Sequence, residues 1–85
     1  MERSLGTEAH RYLVSLLKEA RLAEGSTQAE LAQRLGRQQS FVAKYELGER
    51  RLDVVEFLTI CMALRVDSEE VIRRVESHLQ KDDKQ

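Results

Sequence analysis

Thr27-Gln28-Ala29-Glu30, followed by a glycine at position 36, confines one helix to barely two turns. A threonine hydroxyl and a carboxylate three residues later can each satisfy an otherwise orphan amide of the first turn, which marks a helix start. Gly36 can take the positive φ that ends a helix sharply. Only Gly36 and Arg37 then separate this helix from a second short one, running from about Gln38 to Glu46 or Leu47 and stopped by Gly48. Helices this short are unstable alone in water. The chain must therefore hold them with longer neighbours, and the rest of the sequence supplies these.

In the first helix Ala9, Tyr12, Leu13, Leu16, Leu17 and Ala20 follow i, i+3, i+4 spacing as one apolar stripe, with Thr7 as expected N-cap and Gly25 as stop. Leu31, Ala32 and Leu35 form the buried face of the second helix. In the third, Gln38, Phe41, Val42 and Tyr45 share the inward side, while Gln39, Ser40, Ala43, Lys44 and Leu47 share the outward one. Asp53 with Glu56 opens a fourth helix whose inward face reads Val54, Phe57, Leu58, Cys61 and Leu64. Asp67 with Glu70 opens a fifth, with Val71, Ile72, Val75 and Leu79 as its stripe. Proline is absent, and nothing alternates like a strand. The expectation is an all-α single domain over residues 1–85, with a core of about 8–66, a fifth helix of about 68–80 and a tail at 81–85.

Charge is uneven along the chain. Formal net charge is −1, yet residues 1–25 net 0, residues 26–52 net +2 and residues 53–85 net −3. A polyanion would be drawn to the middle and discouraged at the C-terminal end. The single cysteine, Cys61, excludes an internal disulfide framework, suits a reducing cytoplasm, and reads as a small buried hydrophobe. No apolar run is long enough to span a bilayer, so no membrane association is expected. The first ten residues lack the apolar segment of a signal peptide. His10 and His78 read as surface histidines. No nucleophile–base pair, metal cluster or phosphate loop stands out, so no enzyme, cofactor or metal is expected.

Two short helices joined by a tight glycine turn, the second pinned by Val42 and Tyr45 and presented outward, meet the physical specification of a helix-turn-helix. The particular residues go further. Thr27-Gln28-x-Glu30-Leu31-Ala32, Leu35-Gly36 at the turn, Gln39-Ser40 entering the next helix, Glu46-x-Gly48-x-Arg50 leaving it, and Phe57-Leu58 with Ala63-Leu64 beyond are similar to the Cro/C1-type, or XRE-like, helix-turn-helix DNA-binding domain. The resemblance covers roughly residues 10–67 and implies the five-helix lambda-repressor-like fold.

Carried over position by position, the resemblance implies a third helix in the major groove, which is wide enough to admit one. Gln39 and Ser40 take base-reading positions, and Lys44 reaches a guanine edge or a phosphate. Gln28, at the start of the second helix, falls where relatives hold a phosphate, as do Arg50 and Arg51 beyond the third. Phe41 is either core or a contact for a thymine methyl. Arg21 and Glu46 occupy positions that form a partly buried salt bridge in relatives, fixing the tilt of the presented helix. Three positions depart from the usual pattern. Arg37 replaces a small apolar residue, which leaves the turn more exposed or adds a phosphate contact; Gln38 replaces a Ser or Thr cap; Leu52 replaces a proline, leaving its loop freer.

The expected function is a sequence-specific transcriptional regulator, repressor-like, acting on double-stranded DNA as a homodimer at a pseudo-palindromic operator. The apolar faces of helices four and five supply the dimer contact or simply pack within the chain. A phage-type repressor, a small regulator and an antitoxin with a toxin partner all fit. The rival expectation is a protein-interaction module that kept the fold and lost DNA binding, as the acidic C-terminal third would suit.

Overall fold

The computed structural model describes residues 5–83, and side-chain surroundings are defined for residues 7–80. It contains five helices: α1 Leu5–Glu24, α2 Gln28–Leu35, α3 Gln39–Glu46, α4 Val54–Leu64 and α5 Ser68–Asp83. Helices α2, α3 and α4 enclose the core with one side of α1, and α5 lies along the other side of α1. The fold is the all-α, lambda-repressor-like arrangement.

Local chemistry sets most of the boundaries. Thr27 Oγ1 accepts from the Glu30 amide at 3.0 Å, and Glu30 Oε1 accepts from the Thr27 amide at 2.9 Å. Asp53 and Glu56 make the same reciprocal pair at 2.7 and 3.0 Å. Gly36 ends α2 at φ 70°, where a side chain would be strained, and the Arg37 amide folds back onto the Ala32 carbonyl at 3.0 Å. Gln38 caps α3 by backbone alone, without a side-chain bond.

Two of the expected helix signals act differently. Thr7 lies inside α1 rather than capping it, because the helix already runs from Leu5. Asp67 accepts from the Glu69 amide at 3.0 Å, while Glu70 turns along α5 toward Arg73 and Arg74. One signal has no sequence cue at all: α4 ends on Arg65 in the left-handed region, φ 60°, a conformation unfavourable for a side-chain-bearing residue.

The core is aliphatic around three aromatic rings, Phe41, Tyr45 and Phe57. Val14, Leu17, Leu31, Val42, Tyr45, Ile60 and Cys61 are almost wholly enclosed. The Tyr45 and Phe41 rings meet edge to face with centroids 5.4 Å apart, a favourable aromatic geometry. Burial pushes the Cys61 thiol up to about 11, so it packs as a small hydrophobe. Helix α1 buries two sides. Val14 and Leu17 face the core, whereas Tyr12, half-buried, stacks on His78 of α5 with centroids 4.6 Å apart. Its apolar surface is therefore wider than one stripe. In α4 the register differs from expectation. Ile60 is buried, whereas Val54 is 70% and Leu58 39% exposed. With Val55 and Met62 they leave an apolar outer face on α4, which Ile72 of α5 extends.

Candidate nucleic-acid interface

Helix α3 is held by a brace from behind. Arg21 Nε and Nη2 donate to the two Glu46 carboxylate oxygens at 2.7 and 2.9 Å, a fork-on-fork pair. Arg21 Nη1 donates to the Ser26 carbonyl at 2.7 Å, tying the α1–α2 corner into the same cluster. Both side chains are buried, 7% and 2% exposed. Hydrogen bonding to Glu46 raises Arg21 further above its ordinary range, outweighing desolvation, so this group stays charged. Glu46 sits in the last turn of α3, where the helix dipole opposes a carboxylate. The Arg21 fork offsets that and fixes the end of the helix against α1.

The brace continues outward through amides. Gln28 Nε2 donates to Glu46 Oε1 at 2.9 Å, which turns the Gln28 carbonyl the other way. There it accepts from Gln39 Nε2 at 3.3 Å. The chain Arg21–Glu46–Gln28–Gln39 thus connects a buried ion pair to the exposed start of α3. Its effect is to orient the Gln39 amide: one N–H is engaged, and the oxygen is left for another donor.

The remaining expected residues divide into groups. Ser40 and Lys44 are exposed and share an open cleft of about 300 Å³ with Arg37, Gln38, Phe41 and Arg50. Phe41 itself is 7% exposed. The Arg37 guanidinium lies over its ring at 3.9 Å and that of Arg50 at 5.0 Å, so the ring belongs to the core and is roofed by two cations. Arg50 donates both Nη atoms to Glu56, at 3.1 and 2.8 Å, and Arg37 approaches the same carboxylate at 3.6 Å. Arg34 likewise is held by Glu24 at 2.6 Å and by the Ala63 carbonyl at 2.8 Å, a strut between α2, α4 and the first corner. Lys44 and Arg51 have no carboxylate partner among the described residues.

The loop before α4 is tethered where it was expected to be free. Leu52 offers an amide that a proline would lack, and it donates to His10 Nε2 at 3.2 Å. His10 is thus a half-buried acceptor linking α1 to the loop that carries Arg50 and Arg51, not a surface histidine. Desolvation first, and the nearby Arg51 charge second, lower His10 from its usual 6.5. A base depressed in the folded state contributes stability above its unfolded value and loses it as pH falls below that value. The thermal unfolding midpoint should therefore drop between about pH 7.5 and about pH 5.5, above the range where carboxylates ordinarily protonate. A His10→Gln variant, which keeps a neutral acceptor, should flatten that slope; an equal slope in the variant would refute the assignment.

No group of His, Cys, Asp or Glu among the described residues could hold a metal, and no described helix is long and apolar enough to cross a membrane.

The geometry is that of a presented helix with a rigid back and a polar, partly basic front. The helix-turn-helix family model matches residues 17–71. An XRE-family like protein from Pseudomonas syringae pv. tomato str. DC3000 is 48% identical, with TM-score 0.78, over 82% of this chain and 85% of its own. The chain belongs to the XRE family of helix-turn-helix, DNA-binding transcription regulators. Two structures of the restriction-modification controller protein C.Esp1396I share the XRE-like fold. One, a tetramer in complex with its natural 35 base-pair operator, has TM-score 0.71 and 20% identity over 93% of this chain and 99% of its own. The other, a point mutant, has TM-score 0.73 and 23% identity over 95% and 98%. No curated protein gives a significant match.

Proposed function

We propose that this XRE-family protein is a repressor that sets α3 into the major groove and binds a pseudo-palindromic operator as a homodimer. The observation that carries this reading is the amide relay: a buried ion pair fixes Gln28, and Gln28 orients Gln39 at the exposed start of α3. Side-chain order of this kind helps an amide present one donor–acceptor pattern, and glutamine matches adenine N6 and N7 in that way. Ser40 and Lys44 stand beside it, and the start of α2 adds helix-terminal amides that favour a phosphate.

Dimer formation is supported by the outer face of α4. Val54, Leu58 and Ile72 line an open apolar groove of about 330 Å³ together with Leu13, Phe57 and Val75. A self-complementary apolar patch suits a two-fold pair, and two copies of α3 about one helical turn of DNA apart would double the base pairs read. That a controller protein of the same fold acts on its operator as an assembly is in keeping with this.

Selection from random duplexes should return a symmetric site. On that site Gln39→Ala is expected to cost about 1–3 kcal/mol and to relax preference at one base pair per half-site. Titration of matched and mismatched duplexes reads both effects; unchanged affinity would mean that α3 is docked another way. The same apolar face and the −3 charge of residues 53–85 favour the interaction-module reading as runner-up. Failure to bind any duplex at low salt would select it.

A further inference from the structure

The charge pattern of the interface has one unexpected member. Glu56 is a cap residue of α4, but its carboxylate also faces the two arginines that line the cleft beside Ser40 and Lys44. Oε1 accepts from the Asp53 amide at 3.0 Å and from Arg50 Nη1 at 3.1 Å. Oε2 accepts from Arg50 Nη2 at 2.8 Å and lies 3.6 Å from Arg37 Nη1. Glu56 is largely enclosed, 16% exposed, while the arginines are 40% and 39% exposed. Both guanidinium groups also rest on the Phe41 ring. The result is an assembled anion clamp, two planar forks over an aromatic floor, that already contains an anion of its own. The Asp53 amide and the Arg50 fork hold Glu56 below the usual carboxylate range, so that anion is present at neutral pH.

We propose that Glu56 is a specificity-determining residue that occupies the Arg37–Arg50 clamp in place of a DNA phosphate and so suppresses binding to non-operator DNA. This rests on the DNA-binding reading given above. A loosely placed backbone phosphate on random sequence must compete with a carboxylate that is covalently tethered at the clamp. An operator phosphate, placed by the base contacts of α3, can approach the exposed sides of both guanidinium groups and share them. Glu56 therefore lowers non-specific affinity more than specific affinity. It also helps a chain with little net charge to avoid spending its few cations on every duplex.

Glu56→Gln is the informative change, because glutamine still accepts from the Asp53 amide and keeps the capping box. Binding is measured by fluorescence anisotropy on the selected operator and on a scrambled duplex over a salt series. The expected result is about a tenfold gain on scrambled DNA, a gain of about threefold or less on the operator, and a steeper salt dependence by about one unit of slope. In an Arg37→Ala, Arg50→Ala background the same Glu56→Gln change should have no effect. Equal gains on both duplexes, or weaker binding to both with the fold intact by circular dichroism, would overturn the proposal, the latter making Glu56 a brace for Arg50. Should Glu56→Gln not fold, the wild-type protein still decides. Arg37 and Arg50 side-chain NMR signals should move on adding scrambled duplex at low salt, and stay in place at salt where the operator still binds. Signals unmoved by operator would count against it. If the wild type binds neither duplex, the DNA-binding reading itself fails.

Discussion

Replacing Glu46 with alanine is expected to destabilise the domain by about 3–5 kcal/mol, since it leaves a buried guanidinium without its counter-charge. The whole stability of a small domain is roughly 5–15 kcal/mol, so one substitution would remove about a fifth of it or more. Arg21 is 7% exposed at its side chain and would keep only the Ser26 carbonyl, which cannot neutralise it. Gln28 would lose its acceptor at the same time, and with it the orientation of Gln39. Chemical denaturation should show the loss as a lower midpoint at unchanged slope, and thermal unfolding should fall by roughly 15–30 °C. Arg21→Leu combined with Glu46→Leu should recover much of the stability, because an apolar pair of similar volume is often as stable as a buried ion pair. The double variant should nonetheless bind operator poorly, since the relay to Gln39 is gone. A Glu46→Ala protein within about 1 kcal/mol of wild type would show that solvent reaches Arg21 freely and that the brace contributes little.

Val54→Glu is expected to separate folding from assembly. Val54 opens α4, is 70% exposed and lines the apolar groove. A glutamate in the first turn of a helix is favourable to the dipole, so the monomer should lose no stability. In a two-fold dimer built on this face each copy would bring a carboxylate into an apolar contact, opposite or near its symmetry mate. Light scattering should then show monomer where the proposed wild-type dimer is expected, and operator affinity should fall roughly 100-fold as one of two half-sites is lost. Half-site duplexes should be bound equally by both proteins. If Val54→Glu remained dimeric, the shared surface would lie elsewhere.

The existence of the five helices was legible because their ends are chemically marked. Thr27 with Glu30, Asp53 with Glu56, and the glycines at 36 and 48 all act locally, within four residues, and local rules suffice for them. Sidedness was harder. Val54 and Leu58 are as apolar as Ile60, and only the packing of α4 against α1, α2 and α5 decides which of them is enclosed. Val14 was hidden because a helix that buries two sides has no single stripe. At the candidate interface, Gln28, Gln39, Ser40, Lys44, Arg50 and Arg37 could be singled out by position as expected contacts. Their partners could not, because Glu56 meets Arg50 across a loop, which the Leu52 amide tethers to His10, whose path no helix periodicity sets. Charge counted along the chain thus overstated the cations available, since Arg34 is matched by Glu24 and Arg50 by Glu56.

The enclosure of Cys61 has a practical side. With its thiol pushed up to about 11, very little thiolate is present there at neutral pH. The side chain is also 1% exposed, so maleimides and oxidants can hardly reach it. The natural chain is therefore already a silent background for site-directed labelling. A cysteine introduced at exposed Lys44 would be the one reactive thiol in the folded protein. A fluorophore or spin label there would report the approach of DNA without first having to engineer the native cysteine away.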